Sequence, residues 1–157
     1  MISIKEEYDE VRRKLDEIGD TRTVNRLSKS MFRAALRGGT KIAKRSLNAS
    51  SRKRSGSLYR SIKGRISKQN RAVGYIGPTG SFNFMKAYTL EQGQTRTAKE
   101  PGFMTFKING QWIRKKTVTQ PARPWFERSV GTYLESGQVV KEMEQQLEKD
   151  LQKIMES

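Results

Sequence analysis

The sequence predicts an α+β protein in which a small antiparallel sheet packs with N-terminal helices and a long C-terminal helix. Three observations predict it. Apolar residues recur at helical spacing at both ends of the chain, period-two alternation is confined to the middle, and Asn109-Gly110 is a strong type I′ hairpin signal. Taken in order, Ile4, Tyr8, Val11, Leu15 and Ile18 form a 4-3-4-3 stripe over residues 1–20, read as a peripheral amphipathic helix ended by Gly19 and Asp20. A second helix starts after residues 21–23 and turns Val24, Leu27, Met31, Ala35, Ile42 and Leu47 inward. Its middle (Ala34, Ala35, Gly38, Gly39) is small. Each glycine there costs about 1 kcal/mol relative to alanine, so close approach of another backbone is expected as compensation.

Residues 49–57 read as a polar, basic loop without packing capacity, and the wider stretch 50–65 as mobile in the free protein until it orders against a partner. Strands come next. Ile62, Gly64 and Ile66 alternate with Lys63 and Arg65, and Val73 to Ile76 end at Gly77-Pro78. Residues 82–91 read as a short helix or turn before Gly93. Around Asn109-Gly110, Met104, Phe106 and Ile108 are expected to share a face with Ile113, and Phe103 and Thr105 to share the other with Trp112. The C-terminal helix is expected to start at Pro124 and to kink or break near residue 137, where Gly131 and Gly137 weaken it. Residues 138–157 then form a helical extension with Val140, Met143, Leu147, Leu151 and Ile154 on one side. No internal repeat or second domain is visible, so residues 1–157 read as one domain.

With 157 residues the chain supports a moderate core. Its hydrophobic content of 34% and mean hydropathy of -0.81 are low for a self-sufficient globule, which suggests burial completed against copies or a partner. Cysteine is absent, which excludes disulfides and thiolate metal sites. Histidine is absent too, removing the commonest general base and neutral metal ligand. Serines at 46, 50, 51, 55, 57 and 61 therefore have no histidine to activate them. Gly74, Gly77 and Gly80 lack the Gly-Lys-Ser/Thr ending of a phosphate loop and are not expected to open a helix. These readings predict no catalytic residues, no metal, no cofactor and no enzyme. No apolar run reaches the roughly 18 residues that span a bilayer, and the first residues lack the apolar core of a signal peptide. The expectation is a soluble protein made in a cytoplasm, with no membrane partner.

Net charge is +16, and it is segregated. Residues 1–20 hold four basic and seven acidic side chains, and residues 124–157 hold four and seven again. Between them lie 24 basic side chains and two acidic ones, Glu91 and Glu100. A polyanion, an acidic partner, or pairing between copies would complement such a field. The densest cluster is Arg52-Lys53-Arg54 with Arg60, Lys63 and Arg65 beyond it, read as a contact for phosphates or an acidic neighbour. Aromatic interleaving is sparse and no base-reading motif is visible, so DNA contact would be to backbone. A second candidate is the corner at 121–128. Proline suits a first helical position, which places Arg123 at a rigid junction and Trp125 and Phe126 in a first turn. Arg123 is expected to point at a carboxylate, with Glu91 the candidate, or at backbone carbonyls. Of the two aromatics, one is expected in the core and the other at a boundary or subunit contact.

Four stretches in this order resemble the bacteriophage tail-completion and neck protein family, which includes minor tail protein Z-like and head-tail joining proteins. They are Ser55-Gly56-Ser57-Leu58-Tyr59-Arg60-Ser61-Ile62, with serine where the family usually has threonine; Val73-Gly74-Tyr75-Ile76-Gly77-Pro78; Tyr88-Thr89-Leu90-Glu91-Gln92-Gly93, followed by Gln94 in place of threonine; and Pro121-Ala122-Arg123-Pro124-Trp125-Phe126, with tryptophan as the first aromatic. The resemblance covers about residues 24–135. It implies a non-enzymatic structural protein of the virion, made in the host cytoplasm and placed at the neck or tail. It further implies a homo-oligomeric ring, commonly a hexamer, around the channel that genomic DNA traverses, with other neck and tail proteins as partners. A tail terminator, and a protein that binds nucleic-acid backbone without sequence preference, are the alternative readings.

Overall fold

One helix of 30 residues, α1 (Thr21–Ser50), carries most of the packing in the computed structural model. The structure describes residues 21–50, 56–69, 73–99 and 102–156; the expected helix over 1–20 and the Arg52-Lys53-Arg54 cluster lie outside the described residues. After α1 come α2 (Gly56–Ser61), β1 (Lys63–Ile66), β2 (Gly74–Gly77), α3 (Ser81–Gln92), β3 (Gln94–Thr97), β4 (Met104–Ile108), β5 (Gln111–Lys115), β6 (Thr117–Gln120), α4 (Glu127–Glu135) and α5 (Gln138–Met155). The architecture is α+β, as the sequence predicts. The small sheet resolves into three separate two-stranded antiparallel ladders, β1-β2, β3-β6 and β4-β5.

The core lies where α1 meets α4, α5 and the β1-β2 ladder. Val24, Leu27, Met31, Ala35 and Leu47 are buried as expected, while Ile42 is only half-buried and Phe32, Leu36 and Ala43 join the buried set. α1 runs unbroken through Gly38-Gly39, and the close approach there is by side chains, not by a backbone. A Cβ on Gly38 would overlap the Glu142 carboxylate and the Tyr133 hydroxyl, and one on Gly39 would overlap Ile76. Two further glycines seat the ladder on α1. A Cβ on Gly64 would stand 2.8 Å from Leu36 Cβ, and one on Gly74 2.7 Å from Phe32 Cζ.

Several expectations are corrected. Within the stretch 50–65, Ser50 ends α1 and residues 56–65 form α2 and the start of β1, because Leu58 and Ile62 find core partners. Gly80 is the residue before the first turn of α3, so the glycine series does open a helix. The C-terminal helix begins at Glu127, not at Pro124, which is exposed. It breaks at Gly137, whose φ of 69° suits glycine. Beyond the break, α5 is no mere extension, since its Val139 and Met143 are fully buried in the core. Val140 is half-buried, and Leu151 and Ile154 are exposed.

The hairpin matches its signal. Asn109 and Gly110 both have positive φ, 50° and 87°, as a type I′ turn requires, and Ile108 faces Gln111 across it. Phe106 pairs with Ile113, and Trp112 stands on the opposite face beside Lys107. The ladders β3-β6 and β4-β5 form an arm, and none of their strand residues is fully buried. Its base is held by hydroxyl pairs across β3-β6, Thr95 to Thr119 at 3.1 Å and Thr97 to Thr117 at 3.4 Å.

Candidate functional site

The last turn of α3 and the chain entering α4 meet in a cradle. The first amides of a helix have no partner within it and sit at its positive end. Here one carboxylate serves them. Glu91 Oε2 accepts from the backbone N–H of Trp125 at 3.1 Å and of Phe126 at 3.0 Å, and Oε1 accepts from Glu127 N–H at 3.1 Å. The Arg123 N–H donates to the Leu90 carbonyl at 2.9 Å. Gly93 completes the joint. Its φ is 72°, and a Cβ there would stand 2.6 Å from the Ala122 nitrogen.

Glu91 therefore does not receive the Arg123 guanidinium, which reaches the Ser50 carbonyl at 3.4 Å. The physical reason is the count of donors. Three amides converging on one carboxylate satisfy more of its acceptor capacity than an exposed ion pair, and each is a charge-assisted bond. Trp125 is 1% exposed and lies in the core, while Phe126 is half-buried against it, edge-on at 5.4 Å between ring centroids. The Trp125 carbonyl accepts from Ser46 Oγ on α1 and from Ser129 Oγ. Its indole N–H is buried without an acceptor among the described residues. Nothing in the sequence marks Ser46, because the bond spans 79 positions.

Behind the cradle, Tyr133 Oη lies 3.0 Å from both the Ala35 carbonyl and Glu142 Oε2. Burial first, then the neighbouring Glu142 charge, push its hydroxyl well above the ordinary range. It is thus held as a neutral donor against Gly38-Gly39. This is a packing device, and among the described residues no group of three or more acidic side chains could hold a metal.

Two surfaces offer more. The first is apolar. A groove of about 730 Å³ runs between α3 and the arm, lined in part by Leu58, Met85, Leu90, Met104, Phe106 and Val118. Phe82, 69% exposed, and Ile108 also line it, while Phe84 and Tyr88 of α3, Phe103, and Trp112 at 70% on the other face of the hairpin are exposed as well. Cations cover some of these rings, with Lys86 Nζ 4.1 Å from the centroid of Phe82 and the Arg114 guanidinium 5.1 Å from that of Phe103.

The second surface is cationic. Arg22, Arg26, Lys29, Arg33, Arg37, Lys41 and Lys44 have 4-3-4-4-4-3 spacing along α1, with Arg45 beside them, and α1 contains no acidic residue. All are exposed except the half-buried Lys44. Like charges four apart on an exposed helix cost about 0.2–0.5 kcal/mol per pair, and Arg22 near the first turn also opposes the helix dipole. The spacing is legible in the sequence, but cations carry it, and a reading led by apolar periodicity passes over it. Of the cluster expected at 52–65, the described members Arg60, Lys63 and Arg65 are exposed, and Lys63 lines a groove with the cations of α1.

No protein-family model, curated protein or solved structure matches the chain. The fold defines an α+β protein with a helical core and a β arm. No helix of the described residues is long and apolar enough to cross a membrane.

Proposed function

We propose that this chain is a structural component of a tailed-bacteriophage virion, a tail-completion or neck protein that assembles into a homo-oligomeric ring, most simply a hexamer, at the head-tail junction. The observation that carries the reading is the apolar surface on α3 and the arm. A chain of low hydrophobic content leaves Phe82, Phe84, Met85 and Tyr88 of α3 exposed, with Phe82 and Met85 lining the groove toward the arm, and Phe103 and Trp112 exposed as well; exposed apolar side chains beside an apolar groove are what an interaction surface offers. Exposed ion pairs contribute only about 0–1 kcal/mol each, so this surface, and not the segregated charge, would carry association. A further support is the joint at Glu91, where two of the stretches that resemble the neck-protein family, 88–93 and 121–126, lock together through hydrogen bonds. The reading assigns the protein no enzymatic role and places other neck and tail proteins against the ring.

Native mass measurement of the purified protein tests this. A closed ring is the expected result, with Phe84→Ser plus Trp112→Ser reducing it to monomers that keep the wild-type melting temperature. A protein that stays monomeric alone and in assembled particles would overturn the reading.

A further inference from the structure

The structure points to a binding site for the phosphate backbone of a nucleic-acid duplex on the cationic face of α1 and the adjoining face of β1. A groove of about 830 Å³ lies between these two elements. Six of its lining residues are cations, Arg33, Arg37, Lys41, Lys44, Arg45 and Lys63, and none is acidic. It is a built feature. Gly64 allows β1 to lie against Leu36 and Thr40 without clash, so the ladder holds Lys63 beside α1 as a second wall.

Length and periodicity argue for a duplex. The helical cations from Arg22 to Arg45 cover roughly 35 Å at 1.5 Å per residue, about one turn of B-form DNA at ~34 Å. They recur every three or four residues, so the charge is a continuous line and not a single anion pocket. Single strands are disfavoured because they need aromatic platforms. Tyr59, the one aromatic in the groove lining, has Lys44 Nζ 5.1 Å over its ring. Arg37 donates to the uncharged Gln146 side chain at 3.3 Å. Phosphates would relieve the repulsion along α1 and release counterions, with no base read. This site does not depend on ring formation. Its cations lie on α1 and β1, apart in sequence from Arg52-Lys53-Arg54.

The test is fluorescence anisotropy of a labelled 30-base-pair DNA duplex with the full chain at 50–200 mM salt. Six phosphate contacts predict a slope of log affinity on log salt near -5 and about a thousandfold loss over that range. Arg33→Gln, Arg37→Gln and Lys41→Gln together should lower the slope by about 3 and the loss to about fortyfold. The matched control, Lys107→Gln, Arg114→Gln and Lys115→Gln on the hairpin, removes equal charge and should bind as wild type. Circular dichroism confirms that both variants stay folded, and Lys63→Gln offers a second variant off the helix, with a slope lower by about 1. Duplexes of different sequence should bind equally, and a duplex RNA arm distinguishes B-form from A-form backbone as the source of the phosphates. No duplex binding at 50 mM salt overturns the proposal. So does equal weakening by the groove and hairpin variants, which would mean net charge alone. Groove variants that change the native oligomeric mass while leaving DNA affinity unchanged would assign the groove to an acidic neighbour instead. The native mass is read on the same samples, so a monomer that binds DNA through the groove sinks only the ring.

Discussion

The helical half of the molecule and the β arm use similar residues in opposite ways. Where α1 crosses α4 and α5, Phe32, Ala35, Val130, Val139 and Met143 are all fully buried. In the arm, Met104, Phe106, Ile113 and Val118 alternate with polar residues as strands should, yet none reaches full burial, and Trp112 projects into solvent on the other face. The difference teaches that an amphipathic pattern specifies a face but not what covers it. Three helices meeting at small residues supply their own cover. A two-stranded ribbon has none, because isolated hairpins bury too little. The helical half supplies its own cover, and the apolar residues of the arm are left half-buried or exposed.

The comparison can be broken most severely at Trp125. Trp125→Ala is expected to cost about 3–5 kcal/mol and to unfold the helical half in urea titration; a loss under about 1 kcal/mol would show that the corner is not part of the core. Glu91→Ala comes next. It leaves three amides without their carboxylate, two of them partly buried, and an unmet buried donor costs about 1–3 kcal/mol. Glu91→Gln, which keeps one acceptor oxygen, should recover part of that loss, and equal stability of all three proteins would dismiss the cradle as a structural joint.

Gly38→Ala tests the crossing itself. A methyl group there must displace Tyr133 and Glu142, and overpacking of this kind costs about 1–3 kcal/mol, partly offset by about 1 kcal/mol of helix propensity. Adding Glu142→Ala, which removes the nearest overlapping group, should restore some stability by making room for the methyl; no rescue would show that the Glu142 contact is not the source of the strain. The smallest effect on folding belongs to the arm. Trp112→Ala should change stability by no more than about 0.5 kcal/mol, as exposed substitutions do, while weakening self-association by the 2 kcal/mol or more of an aromatic anchor. If sedimentation velocity shows no change in association and calorimetry shows a large drop in melting temperature, the arm belongs with the core after all.

Local chemistry is readable from the chain. The Asn109-Gly110 turn, the break at Gly137 and the alternation of β1 each arise from conformational preference or periodicity within a few residues, so they need no knowledge of the fold. Lys63 and Arg65 are likewise visible as part of a basic cluster, Glu91 as one of two acids in a basic region, and Trp125 beside a proline corner. Their roles are not. Opposite charges are what a sequence displays, and they match Glu91 to Arg123. Backbone amides at the start of α4 carry no letter, and only their convergence makes them the stronger claim on the carboxylate. The start of α4 is misplaced for the same reason, since Pro124 permits a helix to begin but the cradle holds residues 125 and 126 outside it.

By itself, then, the sequence determined the α+β class, the hairpin and its register, the lack of histidine and cysteine chemistry, and the separation of charge along the chain, because these depend on composition and short-range spacing. Tertiary structure decided which side chains fill the gap at Gly38-Gly39, that Val139 and not Val140 enters the core, and that Ser46 binds a carbonyl 79 positions away. It also set Lys63 beside the cations of α1 as the wall of one groove. Those outcomes depend on contacts between residues far apart in the chain, whose geometry exists only once α1, the ladder and the C-terminal helices have packed.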